Sequence, residues 1–118
     1  MLEILYDTVE RIEGARLAGV IGTDGVSVEM IMDEETIPHD YETAEIELGW
    51  LANAAAKVTQ RINTGTLYDL MLETEHFIYL LSLVTEGYYA VIGLLPESDV
   101  REARDAIHLL VERVHAEL

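Results

Sequence analysis

Two stretches of this chain, Arg16 to Gly22 (RLAGVIG) and Tyr88 to Leu95 (YYAVIGLL), are apolar or small at nearly every position. Successive side chains of a strand point to opposite faces, so a strand with one wet face alternates and one without alternation is buried on both. Both segments are therefore placed at the centre of one sheet, as neighbours, with helices covering both faces.

The remaining segments supply what that sheet needs. Leu2, Leu5, Val9 and Ile12 recur at helical spacing before Gly14, which predicts a short amphipathic helix. Thr23-Asp24-Gly25 is a hairpin signal, because Asp and Gly tolerate the positive φ of a tight turn. It leads into Val26 to Met32, where Val26, Val28 and Met30 alternate with Ser27 and Glu29 as in a half-exposed strand. An acidic loop with Pro38 ends that hairpin, and a long helix follows over Tyr41 to Asn63. After Thr64-Gly65 come strands over Leu67 to Thr74 and His76 to Val84, the latter joined to the Tyr88 strand by Thr85-Glu86-Gly87. Pro96 stops that strand, and Ser98 or Asp99 caps a last helix whose buried stripe is Val100, Ala103, Ile107, Leu110, Val114 and Leu118. The reading is an α+β fold in the order α-β-β-α-β-β-β-α, a five-stranded, mostly antiparallel sheet sandwiched by helices. At 118 residues it is expected to form one domain over 1–118. The edges are Val26 to Met32 and Leu67 to Thr74. The second, rich in Leu, Met and Tyr, needs pairing or protection, and Asp69 and Glu73 on one face protect it in part.

Charge narrows the partners. A formal net charge of -16 repels phosphate backbones and anionic membranes, so direct nucleic-acid binding and membrane adsorption are disfavoured, and no nucleic-acid partner and no membrane span are expected. Asp33, Glu34, Glu35, Asp40, Glu42, Glu45 and Glu47 stand together without one Lys or Arg. Their first reading is a solvated loop leading into a helix N-terminus that favours acids, and the second is an edge that steers a basic partner. There is no cysteine, no apolar run near the ~20 residues of a membrane span, and no basic, apolar leader in MLEILYDTVERIEG. A cytoplasmic protein is expected.

The long helix carries the most unusual surface. On a wheel of 100° per residue Leu48, Leu51, Ala55, Val58 and Ile62 form a core-facing stripe. Its other faces are not the charged surface this implies: they hold Ile46, Gly49, Trp50, Ala52, Asn53 and Ala56, with Lys57, Gln60 and Arg61 as the polar neighbours. Gly49, Ala52 and Ala56 suit the close approach of another helix, and Ile46, Trp50, Asn53 and Lys57 suit a mixed contact with a partner.

Nothing in the chain marks catalysis. GVIGTDG places its glycines in a hairpin and lacks the Lys-Ser/Thr pair of a phosphate loop. Ser27, Ser82 and Ser98 have no histidine placed to activate them. His108, Glu112 and His115 share a face of the last helix at metal-ligand spacing, but Arg101 and Asp105 share it too. It reads as a solvated side on which His108 pairs with Glu112. Glu75 and His76 read as a turn pair, His39 belongs to the acidic loop, and Tyr68, Tyr79, Tyr88 and Tyr89 read as sheet packing with polar tips. No catalytic residue, cofactor or metal site is assigned, and the chain reads as a non-enzyme.

Taken with the element order, the hairpin GVIGTDGVSVEM, the small-residue helix LGWLANAAAKV and the ending YYAVIGLLPESDVREARDAIHLLVERV resemble the Roadblock family of dynein light-chain and MglB-like regulators. The resemblance covers nearly the whole chain and implies a roadblock/profilin-like fold. It also implies a homodimer or heterodimer in which the middle helices pack together and the following strands pair, forming a platform for a small Ras-like GTPase whose hydrolysis some members promote. The residues it offers to dimer or partner are Ile46, Gly49, Trp50, Ala52, Asn53, Ala56, Lys57, Gln60, Leu67, Asp69 and Met71. Arg61 and Arg101 are weak candidates for an inserted arginine. A small-molecule sensor of similar shape is the alternative.

Overall fold

The computed structural model describes residues 1–37 and 39–118; Pro38, read as the break in the acidic loop, lies outside the described residues. Eight elements follow in the expected order: α1 (Leu2–Arg11), β1 (Ala15–Gly22), β2 (Ser27–Met32), α2 (Tyr41–Arg61), β3 (Asp69–Glu73), β4 (Ile78–Thr85), β5 (Tyr88–Leu94) and α3 (Val100–His115). The five strands form one antiparallel sheet in the order β2-β1-β5-β4-β3.

β1 and β5 pair at the heart of the sheet, with Gly19 opposite Val91 and Val20 opposite Ala90. Their two faces feed two separate cores. Ala18, Val20, Ala90 and Ile92 meet Leu5 and Ile12 at α1 and Ala103, Ile107, Leu110 and Val114 of α3. Leu17, Ile21, Tyr89 and Val91 meet Ala44, Leu48 and Ala52 of α2, joined by Ile37 and Phe77 from the loops. The edges are β2 and β3, as expected.

Local chemistry sets the ends of the elements. Gly25 takes φ 86° in the β1–β2 turn, where the Asp24 carboxylate accepts from the Val26 amide at 3.1 Å. Asp40 caps α2 by accepting from the Thr43 amide at 2.8 Å, and Asp99 caps α3 by accepting from the Arg101 and Glu102 amides. The strand expected over Leu67 to Thr74 contracts to Asp69–Glu73. Leu67 turns onto the α2-side core, and its carbonyl accepts the Tyr89 hydroxyl at 2.9 Å. The last helix ends before Leu118, which is exposed rather than part of the buried stripe.

α1 is fastened to α3 by charge as well as by packing. Arg113 Nη1 donates to Asp7 Oδ2 at 2.6 Å, and Arg11 stands 3.0 Å from the same oxygen. The Arg113 hydrogen bond is the main reason the Asp7 carboxyl lies below its ordinary value of 3.8. Asp33 is lowered chiefly by the Thr36 hydroxyl, and Asp40 chiefly by the Thr43 amide. A carboxyl with a lowered native pKa contributes stability that is present above its unfolded value and lost as pH falls through the native one. Unfolding followed by circular dichroism is therefore expected to set in below about pH 4. Asp7→Asn is expected to unfold more easily at pH 7 and to lose less stability on acidification. A variant matching the wild type at both pH values would contradict the role given to this carboxylate.

Candidate protein-interaction surface

α2 lies against β1 and β2 in an orientation that differs from the one its apolar stripe suggests. Its buried residues are Ala44, Leu48, Gly49 and Ala52, so the inward face is turned by roughly 60° at 100° per residue. Gly49 makes this approach possible: a Cβ there would stand 2.7 Å from the Gly22 carbonyl oxygen and 3.1 Å from Gly25 Cα. Close by, Ser27 Oγ donates to the Glu45 carboxylate at 2.6 Å and ties the helix to β2.

Two assignments change in consequence. Gly49 and Ala52, offered above to a second helix, are consumed by their own sheet. Val58 and Ile62, offered to the core, are exposed at 51% and 62%, while Leu51 and Ala55 are half-buried. The helix wheel treats every turn as if it lay over the core. At ~1.5 Å per residue the helix is about 31 Å long, and beyond Ala52 it holds no fully buried residue.

The outward face of α2 is apolar at its middle. Ile46 is exposed, Trp50 is 65% exposed, and Asn53 and Lys57 continue the same stripe. The acidic loop buries Ile37 beside Phe77 and Tyr79 and leaves Trp50 uncovered. His39, in that loop, places Nε2 3.0 Å from the Tyr79 hydroxyl. Burial raises the pKa of the Tyr79 and Tyr89 phenols. Those two rings pack in the sheet as expected, whereas Tyr68 and Tyr88 are exposed.

Beside the C-terminal half of α2 runs a groove of about 710 Å³, with Asn53, Ala56, Lys57, Gln60 and Arg61 on the helix side and Thr23, Glu86 and Gly87 from the hairpin turns opposite. Ala56 and Gln60 thus line a groove, and Leu67 forms part of its floor while packing on the core.

β3 completes the surface. The Leu83 amide donates to the Tyr68 carbonyl at 2.8 Å and the Thr74 amide to the Phe77 carbonyl at 2.9 Å, so even-numbered residues direct their backbone groups toward β4. Asp69, Met71 and Glu73 therefore direct theirs outward, along an edge that no described strand covers. Met71 is 51% exposed, as is much of the strand. On the α3 side of the sheet Asp69 accepts from Ser82 Oγ at 2.7 Å, and His108 Nε2 stands 3.0 Å from its other oxygen, with Arg104 at 3.9 Å. His108 thus reaches across to β3 and is not paired with Glu112. Periodicity along α3 could not reveal this bond, which links residues 39 apart. Among the described residues no group of three potential ligands comes together to hold a metal. Glu75 and His76 do form the expected exposed turn pair.

A five-stranded antiparallel sheet with α2 on one face and α1 and α3 on the other is the Roadblock fold. Solved structures of the same fold cover nearly the whole chain. MglC from Myxococcus xanthus is 26% identical over 99% of this chain and 98% of its own, with a TM-score of 0.72. A Roadblock/LC7 domain from Streptomyces avermitilis is 16% identical over 99% and 96%, with a TM-score of 0.80. An MglB described with a tetrameric arrangement is 13% identical over 98% and 85%, with a TM-score of 0.85. No protein-family model and no curated protein matches the sequence.

The two adjacent residues Gly49 and Trp50 separate fold from surface. Gly49→Ala is expected to cost about 1–2 kcal/mol of stability, because the clash with the hairpin outweighs the ~1 kcal/mol that alanine gains in a helix. Trp50→Ala is expected to stay within about 0.5 kcal/mol of the wild type. Urea denaturation measures both, and the reverse order would contradict the orientation of α2.

Proposed function

We propose that this chain is a noncatalytic regulator of a small Ras-like GTPase and works as a homodimer in the cytoplasm. The observation that carries the reading is Trp50: a tryptophan 65% exposed at the centre of a helix face, on the fold of MglB and MglC. Tryptophan is among the residues most enriched at the energetic centres of protein interfaces, and a soluble chain exposes one in this way at a cost in solubility. Ile46, Asn53 and Lys57 extend the contact, and the groove along Gln60 and Arg61 offers a seat for a loop of the partner.

In this reading the dimer forms along β3. Two copies of the strand join into a continuous sheet, which brings Leu70 and Leu72 of each copy together on the α2 side. The exposed flank of α2, with Leu51 and Val58, meets its copy above them. The two contacts together are expected to bury at least ~1,000 Å², as a stable interface requires. The outward faces of the two α2 helices then present a single platform. Hydrolysis, if stimulated, is stimulated by positioning the GTPase's own groups, since catalysis of phosphoryl transfer is mostly positioning and electrostatics.

The groove of about 710 Å³ favours a second reading, a small-molecule sensor. It lies open along the flank of α2, whereas small-molecule sites enclose most of their ligand. A thermal shift with a metabolite panel tests this reading, and a ligand that raises the melting temperature would favour it.

The deciding experiment is a pull-down from the source cell with GTP and GDP analogues compared. Capture of a small GTPase in one nucleotide state is expected. Trp50→Ala is expected to weaken binding at least ~30-fold with little loss of stability. Capture of no GTPase in either state, or a Trp50→Ala protein that binds like the wild type, would overturn the reading.

A further inference from the structure

We infer that the β3 edge accepts a second copy of this chain in one register only, and that α3 makes this pairing sensitive to pH. The inference rests on the dimer proposed above and concerns its control.

The register follows from the backbone. Only Asp69, Met71 and Glu73 direct amide and carbonyl groups outward, so a second antiparallel β3 must set these residues opposite one another. One two-fold arrangement pairs all three: Met71 faces its own copy, and Asp69 faces Glu73 of the partner subunit. Sliding by two residues in either direction would enlist Leu67, whose carbonyl is taken by Tyr89, or Glu75, which lies in the β3–β4 turn, and would leave one outward residue unpaired. The same register sets Leu70 opposite the partner's Leu72 on the α2 side.

On the other side of the joined sheet it creates a conflict. Asp69 and the partner's Glu73 are like charges placed directly opposite, which is destabilising in an antiparallel pair, and symmetry repeats the conflict. α3 answers it from above. His108 Nε2 is already 3.0 Å from Asp69 Oδ2, and Arg104 stands 3.9 Å from the same oxygen. Arg104 is cationic at every relevant pH, whereas His108 adds its charge only when protonated. On its own helix Asp105 and Glu112 lie one turn away on the same face, and Arg101 and His115 two turns away. Ser82 of β4 contributes only a hydroxyl, which donates to the other Asp69 oxygen. Protonating His108 therefore turns an acid–acid contact with one cation into one with two, and the dimer tightens.

The wild-type dimer, followed by sedimentation equilibrium, is expected to tighten on the order of tenfold from pH 8 to pH 6, about threefold for each symmetry-related copy. His108→Gln is expected to lose that dependence. Glu73→Gln is expected to dimerise at pH 8 about as tightly as the wild type does at pH 6. The chain has no cysteine, so the register is tested separately: Met71→Cys is expected to cross-link to its own copy on mild oxidation, and Leu70→Cys and Leu72→Cys are not. A wild-type dimer of constant affinity between pH 8 and pH 6, or cross-linking through position 70 or 72, would overturn the inference. A chain that remains monomeric at tens of micromolar at both pH values would instead overturn the dimer itself.

Discussion

The pairing of β1 with β5 is the contact on which the rest depends. Both strands are buried on both sides, so neither can exist in water without a helix above and another below. The first face takes α1 and α3, which together cover it and are held to each other by Asp7 and Arg113. The second takes α2 alone. One helix cannot cover five strands, and the strands α2 touches most are β1 and β2. The asymmetry of two helices against one leaves the C-terminal turns of α2 and the whole of β3 uncovered. The exposed surface is thus a consequence of how the central pair is satisfied.

The strands were legible in the sequence because their signal is local. Missing alternation in Arg16 to Gly22 and Tyr88 to Leu95 reports two-sided burial, and the alternation of Val26 to Met30 reports an edge. The orientation of α2 was not legible in the same way. Its wheel is apolar over more than half its circumference, so periodicity leaves several inward directions nearly equal. The choice is made by Gly49 against Gly22 and Gly25, a contact across more than twenty residues. The glycines of GVIGTDG and the glycine of LGW were both visible, but only their juxtaposition makes them one feature. His108 was misassigned for the same reason: its neighbours along α3 offer Glu112, while the fold offers Asp69.

The strong negative charge works against self-association, since pairing two chains doubles the charge of the particle. Most of the seven Lys and Arg residues are spent within the fold, Arg11 and Arg113 on Asp7, Arg16 on Asp33 and Arg104 on Asp69. Lys57 and Arg61, both at the groove beside α2, make no ion pair among the described residues. Positive charge is thus available to a partner on the very helix that exposes Trp50. An acidic contact on the partner fits that rim, and the same acidic surface elsewhere on this chain would repel it. For the partner proposed above, orientation would then come from repulsion around the platform as much as from attraction at it.

β3 shows how one pair of charges serves two ends. An exposed edge with Leu70, Met71 and Leu72 is a template for any extended chain, and natural edges are protected by charges that a stray strand cannot neutralise. Asp69 and Glu73 supply that protection on the α3 side. They discriminate only because Asp69 is not left to water: Ser82, His108 and Arg104 hold it in place, so an incoming strand meets a fixed charge rather than one that swings aside. A strand that brings no acid opposite Asp69 leaves the α3 cations less fully used. In the proposed dimer a copy of β3 brings Glu73 to the same place and meets Arg104 and His108 there. On that proposal the cations of α3 lower the barrier for one partner, and an edge guarded against other strands is open to its own.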